Sequence, residues 1–306
     1  MRLNRLQIEI NHSNSCDYHR LKIPFSNIVV NARNHIYVFN RISNSGAAML
    51  RTLKIRGFKI ICDVDDYWVL DDDHYLADVY KASGMADQII ESLKLADYVT
   101  VTTPLLASKV RQYNKKVVVI PNALPFDEGQ FTRSEDKESG RPFIYVAGAS
   151  HRNDIKILDG LYSHIAIAGA NKQKEWDKII RMAKGAAFKE ELPADSYMDA
   201  YNGHKVALAP LVGSPFNACK SNLKMLEAGA KGLPLIASPV SPYWNAVDKD
   251  VVLWARDKEA FREQMVKLYR NPRMLEDCAE RLAEHVRLHY SLAEANELRR
   301  QLIESI

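Results

Sequence analysis

Short apolar runs that favour β-strands alternate with helical patterns along most of the 306 residues. The strand candidates of the first half are RLQIEI, NIVV, HIYVF, FKIICDV, YVTVT and KVVVI, and those of the second half are PFIYVAG, SHIAIAG, AAFKE, HKVALAPL, LPLIAS and DVVLWA. Near-continuous apolar strands between amphipathic helices are typical of parallel sheets covered on both faces. The two sets predict an α/β chain with two doubly wound sheets.

A polar segment rich in proline and glycine, residues 121–142, separates the two sets and is typical of a domain boundary. After Trp254 the pattern is helical to the end of the sequence. Asp257 is placed to cap the first of these helices, and Pro272 opens the second. We expect one domain at residues 1–125, a second at 126–285 and a last helical segment at 286–306.

The cysteines and the apolar stretches bear on the class of protein. Cys16, Cys62, Cys219 and Cys278 are far apart and form no CxxC pair, which argues against a disulfide framework or a zinc site. The N-terminus has no apolar segment of signal-peptide length, and no apolar stretch is long enough to span a membrane. We therefore expect a cytoplasmic protein without stable membrane insertion.

The net charge of +4 is the sum of two blocks of opposite sign. Residues 1–60 hold ten Lys or Arg against two acidic residues, and residues 61–100 hold ten Asp or Glu against two lysines. Such blocks are usually solvated faces, but a basic surface can also bind an acidic partner. The sequence leaves both interpretations open.

The segment NLKMLEAGAKGLPLIAS, residues 222–238, places a carboxylate on an apolar helix face. Leu223, Leu226, Glu227 and Ala230 are three and four residues apart, so they share one side of a helix. An unpaired buried carboxylate is costly, so Glu227 should meet a specific partner. That partner is either a structural donor, such as an arginine or a helix N-terminus, or a ligand that offers hydroxyls.

Three common ligand signatures do not occur in the sequence. They are the G-x-G-x-x-G dinucleotide turn, the GxxxxGK[ST] phosphate loop and the G-x-S-x-G nucleophile elbow. The loop AGASHRNDI, which follows the strand PFIYV, instead carries Ser150, His151 and Arg152. This composition is suited to cationic contact with phosphate, at the strand ends where α/β sheets bind ligands.

Residues 210–238, PLVGSPFNACKSNLKMLEAGAKGLPLIAS, resemble the donor-binding segment of GT-B glycosyltransferases, closest to family 4 and its short phage and bacterial relatives. The segments VVVIPNALPF, KIICDVDDYWVL and YVAGASHRNDI resemble other parts of that family. The resemblance spans most of the chain. It implies two Rossmann-like domains that face each other across a cleft, the first for the acceptor and the second for a nucleotide sugar. The C-terminal helices would pack back on the first domain.

The resemblance also implies a donor site. Glu227 matches the glutamate that accepts hydrogen bonds from the donor ribose. Arg152 and Lys220 would supply positive charge to the leaving diphosphate, and Lys224 would either assist or belong to a solvated helix face. Free backbone N–H groups at the start of the helix would bind the diphosphate. The implied donor-binding residues are Gly148, Ser150, His151, Arg152, Lys220, Ser221, Asn222, Leu223, Lys224 and Glu227.

One position departs from the family pattern. Family 4 usually carries two glutamates eight positions apart, whereas the residue eight positions before Glu227 is Cys219. The contact from the first glutamate to the transferred sugar is therefore missing or supplied elsewhere, so the resemblance does not name the sugar.

The acidic run DVDDYWVLDDD has three interpretations. Its first aspartates close a strand and could face the acceptor, could hold a divalent metal through D-x-D as in GT-A enzymes, or could be solvated loop charge. The double-sheet pattern argues against the GT-A arrangement, and we expect Asp65 to be a catalytic residue on the acceptor side. The predicted acceptor residues, which include part of the loop NHSNSCDYHRLKIPF, are Asp17, Tyr18, Arg20, Asp65 and Asp66.

The predicted function is a nucleotide-sugar-dependent hexosyl- or pentosyltransferase that retains anomeric configuration. It would use a UDP-sugar as co-substrate and need no metal or other cofactor. The basic first 60 residues and the short phage relatives favour double-stranded DNA with hydroxymethylated bases as the acceptor, and a cell-surface glycan or a small molecule is the alternative. Two other classes stay open: an epimerase or phosphorylase with the same fold, and a non-catalytic nucleotide-sugar or nucleic-acid binding protein.

Overall fold

A computed structural model describes residues 5–11, 15–134, 140–248 and 250–306. The chain forms two compact units. The first contains residues 1–123, 219–221 and 292–306, and the second contains residues 124–218 and 222–291. Residues 12–14 of the predicted first loop and 135–139 of the predicted boundary segment lie outside the described residues.

The first unit is built on a five-stranded sheet in the order β1-β2-β3-β4-β5. The strands are β1 Leu6–Ile8, β2 Ile36–Asn40, β3 Lys59–Val64, β4 Tyr98–Val101 and β5 Val117–Val119, and all neighbours are parallel. The central strand β3 is buried over almost its whole length, which explains its continuous apolar pattern. Asp63 interrupts that pattern and lies in register with Asn40 of β2 and Thr100 of β4.

The strands are connected by helices, as far as residues 5–11 and 15–119 are described. These helices are α1 Ser15–Asp17, α2 Ile23–Ser26, α3 Gly46–Ile55, α4 Ala77–Ser83, α5 Met85–Leu95 and α6 Pro104–Val110, and a π-helical turn, Tyr18–Lys22, joins the first two. Gly84 has φ +61° and lets α4 end directly before α5 begins. Leu50 of α3 and Leu93 of α5 are fully buried in one core cluster with Cys62 of β3.

The second unit is built on a six-stranded parallel sheet in the order β11-β10-β9-β6-β7-β8. The strands are β6 Phe143–Val146, β7 Ile165–Ala170, β8 Ala187–Glu190, β9 Val206–Ala209, β10 Leu235–Ala237 and β11 Leu253–Trp254. Because the strands are parallel, the loops that follow them meet at one edge of the sheet, where such folds bind ligands.

The helices of the second unit are α7 Lys174–Met182, α8 Pro215–Ala218, α9 Leu223–Ala230, α10 Ser241–Trp244, α11 Lys258–Arg270 and α12 Pro272–His289. Short 3₁₀ helices lie at Gly129–Phe131, Ala149–His151, Asp154–Leu158, Tyr162–His164 and Tyr197–Tyr201. Asp257 caps α11 by accepting a hydrogen bond from the Ala260 N–H at 2.9 Å, as predicted. Gly229 lets α9 approach α12 closely, since a Cβ there would be 2.5 Å from Val286 Cγ2.

The last helix, α13 Leu292–Ser305, belongs to the first unit. Leu302 and Ile303 pack in a core cluster with Ile36 and Val38 of β2, and Asn296 donates a hydrogen bond to the Pro24 carbonyl at 3.1 Å. The predicted α/β fold with two doubly wound sheets is confirmed.

Residues 219–221 also belong to the first unit, although the predicted division places them in the second domain. Cys219 is fully buried in the core cluster of the first unit. The Ser221 hydroxyl accepts a hydrogen bond from Asn122 Nδ2 at 2.8 Å. These contacts explain why the short segment groups with a sheet that is distant in sequence.

Candidate active site

A row of polar side chains crosses the first sheet near the carboxyl ends of its strands. The Asp63 carboxylate accepts hydrogen bonds from the Thr100 hydroxyl at 2.6 Å and from Asn40 Nδ2 at 3.4 Å. The parallel register brings these three residues together, because each occupies the same level on its own strand. The row is buried, so its members need one another as hydrogen-bonding partners.

Arg20 binds this row from the π-helical turn. Its Nε and Nη2 donate to the two Asp63 oxygens at 2.9 and 2.8 Å, and its Nη1 donates to the Ile120 carbonyl at 2.9 Å and to Asn122 Oδ1 at 3.0 Å. Arg20 is only 1% exposed. This corrects the expectation that Arg20 contacts the acceptor or a phosphate: its guanidinium is committed to a buried bidentate ion pair and orients Asp63.

Asp65 and Asp66 each lie near a cation of the chain. Arg41 Nε is 3.6 Å from Asp65 Oδ1, and Lys220 Nζ is 3.6 Å from Asp66 Oδ1. Cys16, Asp65 and Asp66 bring possible metal ligands within 4.8 Å of one another. Burial raises the pKa of the Cys16 thiol well above its usual value, and the negative charges of Asp65 and Asp66 add to this shift.

Asp17 and Tyr18 lie just before the π-helical turn and within it. Asp17 Oδ2 accepts a hydrogen bond from the Asn11 N–H at 2.7 Å. Burial, with a further contribution from the charge of Asp65, raises the pKa of Asp17 to about 6. The Tyr18 ring lies 5.4 Å from the Lys22 ammonium. Asp17 therefore belongs to the same electrostatic cluster as Asp65 and can exchange a proton near neutral pH.

The basic and acidic blocks of the sequence pair with each other in the first unit. Among the described residues of the two blocks, four ion pairs join them: Arg20–Asp63, Arg41–Asp65, Arg51–Glu91 and Lys54–Asp97. The blocks meet because β2 is paired with β3 and because α3 packs against α5. Four of the ten cations in residues 1–60 are thus neutralised by acidic residues of the next segment.

In the second unit, the loop after β6 passes close to β7. Gly169 of β7 has φ +113°, and a Cβ at this position would collide with the Ala147 carbonyl. Only glycine permits this approach. The loop continues through Gly148, which is exposed, and Ser150, which is half-buried. The predicted phosphate loop therefore starts at the carboxyl edge of the second sheet.

His151 and Asp154 tie this loop to the loop after β9. His151 Nδ1 is 2.7 Å from Asp154 Oδ2. The other carboxylate oxygen of Asp154 accepts hydrogen bonds from the Val212 N–H at 2.7 Å and from Asn217 Nδ2 at 3.1 Å. All three side chains are buried, so Asp154 fixes the relative positions of the two loops.

Arg152 extends from the same loop and forms an ion pair with Glu175 of α7. The second Glu175 oxygen is 3.2 Å from Lys178 Nζ. The Arg152 side chain is 24% exposed, so it retains access to solvent.

The start of α9 lies beside this loop. Asn222 precedes the helix and Leu223 begins it. Lys224 Nζ donates to the Val146 carbonyl at 2.6 Å, at the end of β6, and lies 5.8 Å from the centre of the Tyr145 ring. Lys224 is therefore half-buried at the carboxyl edge of the sheet, and it does not lie on a solvated helix face.

Glu227 is 4% exposed and has a structural partner. The Tyr201 hydroxyl donates a hydrogen bond to Glu227 Oε2 at 2.7 Å. Burial raises the pKa of Glu227, although the positive charge of Lys224 and the hydrogen bond from Tyr201 oppose this shift. The partner that the sequence predicts for Glu227 is thus present in the second unit itself, as the hydroxyl of Tyr201, 26 residues away.

The structure separates the predicted site residues into two groups. The second unit contains Gly148, Ser150, His151, Arg152, Asn222, Leu223, Lys224 and Glu227, and the first unit contains Asp17, Tyr18, Arg20, Asp65, Asp66, Lys220 and Ser221. No local sequence pattern marks Tyr201 or Glu175, because each acts through a contact with a residue distant in sequence.

Residues 149–298 match a family model described as glycosyl transferase-like. The matched range includes Arg152, Lys224 and Glu227. No curated protein sequence matches the chain significantly.

Several solved structures share the fold of this chain at low sequence identity. Sucrose-phosphate synthase from Thermosynechococcus elongatus superposes with a TM-score of 0.67 at 14% identity, covering 88% of this chain and 73% of the synthase. HepE from Anabaena, in complex with UDP, superposes with a TM-score of 0.66 at 10% identity, covering 89% and 79%. A UDP-forming α,α-trehalose-phosphate synthase from Burkholderia xenovorans gives 0.60 at 11% identity, covering 88% and 73%. The chain has the GT-B fold, and its residues 149–298 match a glycosyl transferase-like family. Among the helices of the described residues, none combines the length and the apolar composition of a membrane span.

Proposed function

We propose that this glycosyltransferase transfers a sugar from a UDP-sugar, and that its second unit binds this donor. The observation that carries the proposal is the cluster at the carboxyl edge of the second sheet, where Arg152 and Lys224 supply positive charge and Glu227 lies on the adjoining helix. HepE has been solved with UDP and with UDP-glucose, and the trehalose-phosphate synthase forms UDP. These relatives support the same donor class for this chain.

Each donor residue has a proposed role. Glu227 accepts hydrogen bonds from the ribose hydroxyls with the carboxylate that also binds Tyr201. The first N–H groups of α9, at Asn222 and Leu223, bind the diphosphate. Arg152 and Lys224 stabilise the negative charge that grows on the diphosphate as it leaves. Gly148, Ser150 and His151 shape the loop, and Lys220 and Ser221 precede α9 in the chain.

We further propose a retaining reaction of the family 4 type. The bond from the anomeric carbon to the diphosphate oxygen breaks, and the bond from that carbon to the acceptor oxygen forms on the same face. The acceptor proton passes to the leaving diphosphate oxygen, so the reaction balances without a protein nucleophile, a metal or a cofactor. Asp65 orients the acceptor hydroxyl, with Asp17, Tyr18 and Asp66 beside it.

Cys219 occupies the position at which family 4 usually carries a glutamate that contacts the transferred sugar. Cys219 is fully buried in the apolar core of the first unit, so its side chain is not available to a sugar hydroxyl. Another residue must contact the transferred sugar, and the proposal therefore names no particular hexose or pentose.

For the acceptor, we propose duplex DNA with hydroxymethylated bases. Lys22, Arg33 and Arg56 are exposed cations of the first unit that could contact phosphates. The four internal ion pairs lower the charge available to DNA, so we expect few phosphate contacts and a moderate salt dependence. A duplex base would have to flip out to present its hydroxymethyl group, at a cost of a few kcal/mol.

The test is mass spectrometry of nucleosides after the protein is incubated with a panel of UDP-sugars. The substrates are DNA containing hydroxymethylcytosine or hydroxymethyluracil, unmodified DNA as the control, and glycan and small-molecule acceptors. A hexose or pentose adduct on modified DNA alone supports the DNA acceptor. Transfer only to a glycan or small molecule contradicts the DNA acceptor and keeps the transferase. UDP binding without transfer or donor hydrolysis indicates a binding protein and contradicts the enzymatic proposal.

A further inference from the structure

Glu175 is an acidic residue placed directly against a proposed phosphate-binding cation. It lies in the first turn of α7, and only 10% of its side chain is exposed. One carboxylate oxygen pairs with Arg152, and the other is 3.2 Å from Lys178 Nζ. A carboxylate beside an anion site weakens anion binding, so its presence there needs an explanation.

Glu175 is held in position by the buried residue that follows it. The next residue, Trp176, is fully buried, and its ring packs next to Gly169 of β7. Core packing therefore fixes the position of Glu175 relative to the sheet. Arg152, in contrast, follows a short 3₁₀ helix in a loop, where a long side chain has many rotamers. The ion pair connects this side chain to a well-anchored helix.

The ionisation of Glu175 is consistent with this arrangement. Burial alone would raise its pKa, but the hydrogen bonds from Lys178 and Arg152 outweigh burial and lower the pKa below its ordinary value. The carboxylate is therefore charged at neutral pH and remains available to Arg152.

We propose that Glu175 is a positioning residue that holds the Arg152 guanidinium in place for the leaving diphosphate. This inference rests on the proposed donor site of the second unit. A guanidinium held in place before reaction loses less conformational freedom when the transition state forms. The Glu175 carboxylate also partly neutralises the positive charge of Arg152. The product diphosphate is therefore bound less tightly and can leave.

Replacing Glu175 with glutamine tests both effects of the carboxylate, the positioning of Arg152 and the weakening of diphosphate binding. Glu175→Gln removes one negative charge next to the anion site, so UDP and inorganic pyrophosphate should bind about three- to tenfold more tightly at low salt. Turnover should fall about tenfold or more, because Arg152 is no longer held and UDP leaves more slowly. A merely structural residue would not produce tighter binding together with slower turnover.

A control and a double variant sharpen the test. Asp177→Asn removes the same charge from the exposed side of α7, and it should change neither UDP affinity nor turnover by more than about twofold. Glu175→Asp should restore part of the turnover. In the Arg152→Ala background, Glu175→Gln should have little further effect on turnover, because the group that it positions is absent.

The measurements are UDP and pyrophosphate affinity by calorimetry, turnover by UDP release, and thermal unfolding of each variant. A lower unfolding temperature with unchanged UDP affinity and turnover contradicts the positioning role. So does a Glu175→Gln effect that is just as large without Arg152. A wild-type protein that binds no nucleoside diphosphate contradicts both the donor site and this inference, whereas a nucleotide-binding wild type with an unaltered Glu175→Gln variant contradicts the inference alone.

Discussion

Replacement of Glu227 separates its structural contact from its proposed contact with the donor. In Glu227→Ala the Tyr201 hydroxyl, itself almost fully buried, loses its acceptor at 2.7 Å. Leaving a buried hydroxyl unpaired costs ~1–3 kcal/mol, so this variant should lower the free energy of unfolding by that amount. It cannot by itself show whether Glu227 binds a ligand, because it removes both contacts at once.

Glu227→Gln is the more informative variant. Its amide oxygen can still accept from Tyr201, so the fold should be kept. The carboxylate charge is lost, and hydrogen bonds from ribose hydroxyls to a charged acceptor are stronger than those to a neutral one. UDP affinity should therefore weaken by ~1–3 kcal/mol, which is about five- to 150-fold in Kd. Tyr201→Phe is the matched control: it should lower stability and leave UDP affinity close to that of the wild type.

The pH dependence of stability provides a second readout. Burial raises the pKa of Glu227 above its ordinary value of 4.5, so the folded protein keeps this proton to higher pH than the unfolded chain. The contribution of the protonated group to stability is full below pH 4.5 and is lost as the pH rises through the folded pKa. Glu227→Gln has no such group and should lack this decline. Unchanged UDP affinity in Glu227→Gln, measured by calorimetry, would refute the assignment of Glu227 to the donor site.

Three further predictions concern the cations of the proposed donor site in the second unit and the aspartates of the first unit. Arg152→Ala and Lys224→Ala should each lower kcat more than they change donor affinity, because their charge is needed most as the diphosphate leaves; steady-state kinetics with varied UDP-sugar tests this. Transferase activity should persist in EDTA, and its complete loss, restored by a divalent cation, would instead assign metal binding to Asp65 and Asp66. Asp63→Asn should destabilise the fold by ~3–5 kcal/mol in urea unfolding, since it leaves a buried guanidinium without its counter-charge, and a loss below ~1 kcal/mol would contradict the structural role of this pair.

The parts of the fold that follow from local patterns were predictable. Continuous apolar runs marked the central strands, and the capping position of Asp257 and the proline at 272 marked two helix starts, because these signals depend on neighbouring residues alone. The position of the loop AGASHRNDI was predictable for the same reason, since this loop follows a buried strand.

The parts that depend on contacts between distant segments were not predictable. Arg20 occurs in a polar loop that suggests solvent exposure, yet its partner is Asp63, 43 residues away. The two charge blocks look like opposite surfaces in the sequence, whereas the sheet register and helix packing make them neutralise each other. Glu227 was correctly expected to have a partner, but only the fold brings Tyr201 to it.

The proposed donor is a UDP-sugar that the second unit binds. The most direct measurement is UDP release from a panel of UDP-sugars, with and without each acceptor class, by the wild type and by Arg152→Ala and Glu227→Gln. We predict release from at least one UDP-sugar, stimulated by an acceptor and reduced about 100-fold in Arg152→Ala, as is typical when a donor to a developing negative charge is removed. Absence of release from every UDP-sugar, or release that is undiminished in both variants, would contradict the claim.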